Sequence, residues 1–94
     1  MKFATYLQNK NDGPKFGFKK NNHIVDIKRA AILLEKITSD PSFLDIPSSL
    51  KDSLKDWDSN FAKIKKLDSK LVEENLIEEF LDNKPIAILE SEVE

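Results

Sequence analysis

Residues 23–37, HIVDIKRAAILLEKI, change period partway along, and that change decides the fold. Residues 23–27 (HIVDI) are rich in β-branched side chains and predict a short strand. From Ile27 the apolar positions fall at Ile27, Ala30, Ala31 and Leu34, the i, i+3, i+4, i+7 spacing of one helix face, and Leu33 and Ile37 widen the stripe. Asp26 stands at the switch. Its carboxylate suits an N-cap, because it accepts the orphan N–H groups of the first turn and its charge complements the helix dipole.

Upstream, residues 2–8 (KFATYLQ) set Phe3, Thr5 and Leu7 against Ala4 and Tyr6, the period-2 pattern of a strand. Residues 9–14 (NKNDGP) gather the residues that make turns, and residues 16–19 read as a second strand. Residues 20–22 form a polar turn in which Asn22 takes the left-handed conformation. The first third is thus a three-stranded antiparallel meander. Gly17, between Phe16 and Phe18, marks a place where another group packs close over the strand.

Downstream, residues 38–47 (TSDPSFLDIP) form a loop with Phe43, Leu44 and Ile46 turned inward. Ser49 and Asp52 read as a capping pair for a short helix bearing Leu50, Leu54 and Trp57. Asp58 is placed to cap a third helix with Phe61, Ile64, Leu67 and Leu71 on one stripe, and the helical period runs on through Val72, Leu76, Ile77, Phe80 and Leu81. The pattern allows one long helix or two parted near Asp68 and Ser69. Residues 82–85 (DNKP) stop it, and residues 86–93 (IAILESEV) read as a last strand with Ile86, Ile88 and Val93 on its inner face. The expected fold is one α+β domain over residues 1–94: a small antiparallel sheet, made of the N-terminal meander plus a C-terminal strand, with two to four inserted helices.

Composition narrows the function classes. With 94 residues, 39% of them hydrophobic, the chain has room for one core and no second. Fifteen Lys and Arg against seventeen Asp and Glu leave a net charge of −2, which argues against a nucleic-acid partner. The absence of cysteine excludes a thiol nucleophile and Cys-ligated zinc, and a single histidine excludes most His-based metal sites. The longest apolar run, residues 30–34, is far too short for a membrane span, and the first residues lack the pattern of a secretory signal, so a cytoplasmic protein with no membrane partner is expected.

Each candidate for chemistry has a plainer reading that outweighs it. His23 opens a strand with no Ser, Cys or carboxylate pair beside it except Asp26, as an ordinary strand-edge histidine does. Glu73, Glu74, Glu78, Glu79 and Asp82 suggest a hard-cation site, with Glu74 and Glu78 on one helix face, yet a solvated glutamate-rich face is far commoner. Lys63, Lys65, Lys66 and Lys70 precede them, and Lys70 is spaced to pair with Glu73 and Glu74. Gly13 and Gly17 lack the context of a phosphate loop. Tyr6, Phe16 and Phe18 are better explained by packing than by base stacking. No catalytic, cofactor-binding or metal-ligating residue is assigned; Phe16, Phe18 and Trp57 are the candidate interface residues.

Taken in order, KFATYLQ, then GPKFGFKKNNHIVDIKRAA, then PSSLKDSLKDW and finally ILESEVE, the chain resembles the N-terminal domain of fumarylacetoacetate hydrolase family proteins. Proteins of that family begin with a strand, a hairpin bearing a Phe-Gly element, and a Val-Asp-Ile or Val-Asp-Leu step into a helix with small residues. The resemblance implies an accessory domain of a metal-dependent hydrolase, isomerase or decarboxylase of β-diketo or 2-oxo acids. It also implies that the Glu and His catalytic pair and the acidic ligands for Mg²⁺ or Ca²⁺ lie in a C-terminal catalytic domain. None of those roles transfers to a residue of this sequence, because no Tyr-x-x-His follows ILESEVE and His23 lies in the hairpin. Two functions from different classes are therefore expected: an accessory domain that packs against a catalytic domain of the same polypeptide or a homologue, or a stand-alone interaction module, such as a homodimer built on the Phe16 and Phe18 face or the Trp57 region.

Overall fold

The computed structural model describes residues 1–7 and 13–92. The turn expected at residues 9–14 falls mostly outside them, as does Val93. The fold is α+β. Strands β1 (Phe3–Tyr6), β2 (Lys15–Lys20), β3 (His23–Asp26) and β6 (Ala87–Leu89) form one antiparallel sheet in the order β1-β2-β3-β6. Its register pairs Phe3 with Phe18, Phe18 with Val25, and Val25 with Ala87. The β2–β3 turn takes its left-handed residue at Asn21 (φ 56°), one position earlier than expected at Asn22.

Helix α1 (Ile27–Thr38) begins where the period changes. Asp26 is its N-cap and accepts the Arg29 amide at 3.2 Å, an arrangement that stabilises by about 1 kcal/mol relative to alanine. The helix closes on Ser39 in the left-handed conformation, whose N–H donates to the Glu35 carbonyl at 2.8 Å. A 3₁₀ turn (Pro41–Asp45), capped by Asp40, follows. It buries Phe43, and Ile46 follows it into the core, but Leu44 is 51% exposed, contrary to its expected inward place. On a 3₁₀ turn neighbouring residues point in different directions, so Leu44 cannot follow Phe43 inward.

Ser49 caps the single-turn helix α2 (Leu50–Ser53), its hydroxyl accepting the Asp52 amide at 3.1 Å. A 3₁₀ turn (Leu54–Asp56) leads into α3 (Trp57–Glu73), whose N-cap position falls at Asp56, with Asp58 inside the first turn and not at the cap. Helix α3 passes unbroken through Asp68 and Ser69, and Ile64, Leu67 and Leu71 are its fully buried stripe.

The helix stops at Glu73 although the apolar period continues. Asn75 takes φ 56°, its N–H donates to the Val72 carbonyl at 3.1 Å, and the Leu76 N–H donates to the Leu71 carbonyl at 2.8 Å. This is a Schellman cap, sealed by Leu71 and Leu76 in the same core. Phe80 and Leu81, read as helical from their spacing, instead form β4 (Phe80–Leu81), which pairs with β5 (Lys84–Pro85) across a two-residue turn at Asp82 and Asn83, both at positive φ. The return strand is shorter than residues 86–93: a 3₁₀ turn (Glu90–Glu92) follows β6. Ile86 and Ile88 do not share an inner face either, since Ile86 and Ala87 join the main core and Ile88 joins a separate cluster with Tyr6 and Ile24.

The main core gathers Phe16, Phe18, Val25, Ile27, Leu34, Phe43, Ile64, Leu67 and Leu71 between the sheet and the helices. On the other side, Tyr6 lies over Gly17. A Cβ built on Gly17 would collide with the Val25 carbonyl oxygen and meet the Tyr6 ring at 3.1 Å, so the expected close approach is present and comes from Val25 and Tyr6. Among the described residues no helix is long and apolar enough to cross a membrane.

Candidate functional site

The side chains singled out for an interface do not act together. Phe16 and Phe18 alternate with Gly17 on β2 and therefore point to the same face, which is the one the helices cover; both are interior, Phe18 completely. They are core residues of this chain, and neither offers a surface to a partner. Trp57 is different. It sits at the start of α3 and remains partly exposed.

Trp57 belongs to an aromatic group that the chain assembles from three elements. Phe61 follows it by one helical turn, with ring centroids 5.4 Å apart. Phe3 of β1 meets Trp57 edge-on at 5.2 Å and Phe61 at 6.0 Å, and stacks on Phe16 at 5.8 Å. Phe3 and Phe61, like Trp57, are only partly buried, so the group is a core at its Phe16 end and a surface at its Trp57 end. Sequence reasoning placed Phe3 on a strand and Phe61 on a helix stripe without joining them; the i, i+4 spacing of Trp57 and Phe61 was the available signal. The rim is charged on one side, where the Lys65 ammonium lies 5.6 Å from the Phe61 ring. Leu54, one turn before Trp57, is 59% exposed.

This patch adjoins a sheet edge. Strand β1 pairs with β2 and with no other strand among the described residues, and its four residues, FATY, carry neither charge nor proline. Natural sheets usually protect such an edge with lysine, proline or a bulge. Here an uncharged edge and a partly exposed aromatic group lie side by side, an arrangement chemically suited to packing against another surface.

The remaining candidates are dispersed. His23 opens β3 opposite Lys20 and Leu89 and lines an open cleft of about 440 Å³ with Asn21, Asn75 and Glu78. Glu74 and Glu78 share no helix face, because α3 ends at Glu73, before either of them; Glu73 and Glu74 instead meet Lys70, each at 3.5 Å. Asp82 stands on the turn of the β4–β5 hairpin. Among the described residues no group of three His, Asp or Glu is arranged to hold a metal ion. Lys66 bridges to Asp40 at 3.2 Å and lies 5.1 Å from the Phe43 ring. The Asp40 carboxyl is held down to about 2, chiefly by hydrogen bonds from the Ser42 hydroxyl and amide and then by Lys66. Hydrogen bonding from Ser49, then Lys55, holds Asp52 below the usual carboxylate range. Burial, reinforced by the charge of Asp26, pushes the Tyr6 phenol well above its ordinary value. No protein-family model, curated protein or solved structure matches this chain.

Proposed function

We propose that this chain is an accessory domain that packs against a catalytic domain of the fumarylacetoacetate hydrolase type, a metal-dependent hydrolase, isomerase or decarboxylase of β-diketo or 2-oxo acids. The observation that carries this reading is the uncharged β1 edge beside the partly exposed Phe3, Trp57 and Phe61, a surface built to be covered. The order of elements is compatible with it: a strand, a hairpin, a Val-Asp step into a helix, a short helix and a final strand are the pieces the family resemblance implies, and they occur here in that order, with the β4–β5 hairpin as an addition before the last strand. In this reading the catalytic pair and the Mg²⁺ or Ca²⁺ ligands belong to the partner domain, the assembly is cytoplasmic, and this chain contributes shape and cover to the substrate site.

The test is the intact mass of the native gene product from its source cells, together with its activity on β-diketo and 2-oxo acids before and after chelation. The reading expects a product well above 10.8 kDa, or a stable complex of that size, with activity that chelation abolishes. A free 10.8 kDa chain whose hydrolase activity survives chelation contradicts it. A free chain of that mass without activity, dimeric at micromolar concentration and made monomeric by Trp57→Ala, favours the homodimerisation module instead.

A further inference from the structure

We propose that the Phe80–Pro85 hairpin is a separately opening flap, latched to the body of the fold by Arg29. Strands β4 and β5 form a two-stranded sheet of their own, with two residue pairs, and join no strand of the main sheet. One further bond, from the Ile86 N–H to the Glu79 carbonyl at 3.1 Å, extends the ladder. A hairpin of this size does not hold itself together in water, so its closed position depends on what ties it down.

Two ties are present. Leu81 inserts its side chain into the main core. Arg29, in the first turn of α1, donates from Nη2 to the Leu81 carbonyl and, at 3.3 Å, to the Lys84 carbonyl. These carbonyls flank the Asp82–Asn83 turn, so one guanidinium grips both ends of it. The grip has a cost, because the Arg29 Nε is buried and finds no acceptor among the described residues. Opening would return that donor to water. Phe80, the largest side chain of the hairpin, adds little anchorage, being 59% exposed. Leu76 and Ile86, both in the core, bracket the segment and stay in place as hinges. Helices α1 and α3 and the four-stranded sheet therefore keep their packing when the flap opens, which is the pattern of a low-stability unit on a stable body. This opening needs no partner and belongs to the chain whatever docks on it.

Native-state hydrogen exchange on the full chain tests the latch. In the wild type, the amides of residues 80–84 exchange roughly 100-fold faster than those of Leu67 and Leu71, and urea narrows the gap. Arg29→Met lowers protection in the hairpin about tenfold while changing Leu67 and Leu71 far less, and Arg29→Lys, which keeps a cationic donor on a differently shaped side chain, falls between. Should Arg29→Met fail to fold, the wild-type profile and Arg29→Lys decide the matter. Equal protection of hairpin and α3 in the wild type overturns the proposal. So does an Arg29 variant that lowers all amides alike or leaves the hairpin unchanged.

Discussion

The face of the sheet that carries Phe16, Phe18, Val25 and Ala87 lies under α1 and α3, whereas the opposite face closes over Gly17 with Tyr6, Ile24 and Ile88 and, among the described residues, takes no helical residue into its cluster. The first face is buried by adding layers, the second by leaving out a side chain so that a neighbouring ring can come close to the strand. The difference teaches that one small sheet buries its two sides by unlike means, and that the two sides should fail differently when altered.

The largest effect is expected on the helical face. Phe18→Ala empties a fully buried site and costs about 3–5 kcal/mol, whereas Ile88→Ala on the other face costs about 2 kcal/mol, both read from urea unfolding. Equal losses would break the comparison. Next comes Gly17→Ala, in which the new methyl meets backbone at Val25 and must push the strands apart, at about 2–3 kcal/mol. A neutral outcome would mean that Tyr6 does not rely on the missing side chain. Asp26→Ala removes the α1 cap at the end of β3 and costs about 1 kcal/mol.

The smallest effects sharpen the contrast through pH. Tyr6, on the face opposite the main core, has a folded pKa raised above its ordinary 10.0, so its contribution is complete below that pH and is lost as pH rises beyond it. Tyr6→Phe should therefore flatten the alkaline limb of stability and leave the acid limb alone. Asp40, beside α3, is depressed from its ordinary 3.8 to about 2, so its contribution is present above 3.8 and is lost as pH falls toward 2. Asp40→Asn should flatten the acid limb slightly, since the group is exposed and screened. Urea midpoints measured from pH 2 to 11 would read both limbs in each variant.

What was legible in the sequence follows the same division between local and distant causes. The strand-to-helix switch at Asp26, the Ser49–Asp52 cap and the Lys70 pairs are decided by neighbours within four residues, and spacing alone reveals them. The end of α3 is also local, but its signal was a lone asparagine, Asn75, outweighed by an apolar period that continued by coincidence into Phe80 and Leu81. A left-handed asparagine followed by a leucine five residues after a core leucine was the readable cue. The aromatic patch was out of reach, because Phe3 and Trp57 are 54 positions apart and only the sheet-on-helix packing joins them. For the same reason the spacing of Phe16 and Phe18 does not separate burial from interface exposure: the helices that cover that face are distant in sequence.

The proposed role turns on whether Trp57, the only tryptophan of the chain, is covered when the protein is at work. Hydroxyl-radical footprinting of the native gene product, set against the isolated 94-residue chain, measures this directly. The account predicts that Trp57 and Phe61 label several-fold more slowly in the native product while exposed Leu44, on the 3₁₀ turn after α1 and not part of the aromatic group, labels equally in both. Equal labelling of Trp57 in the two samples would contradict it.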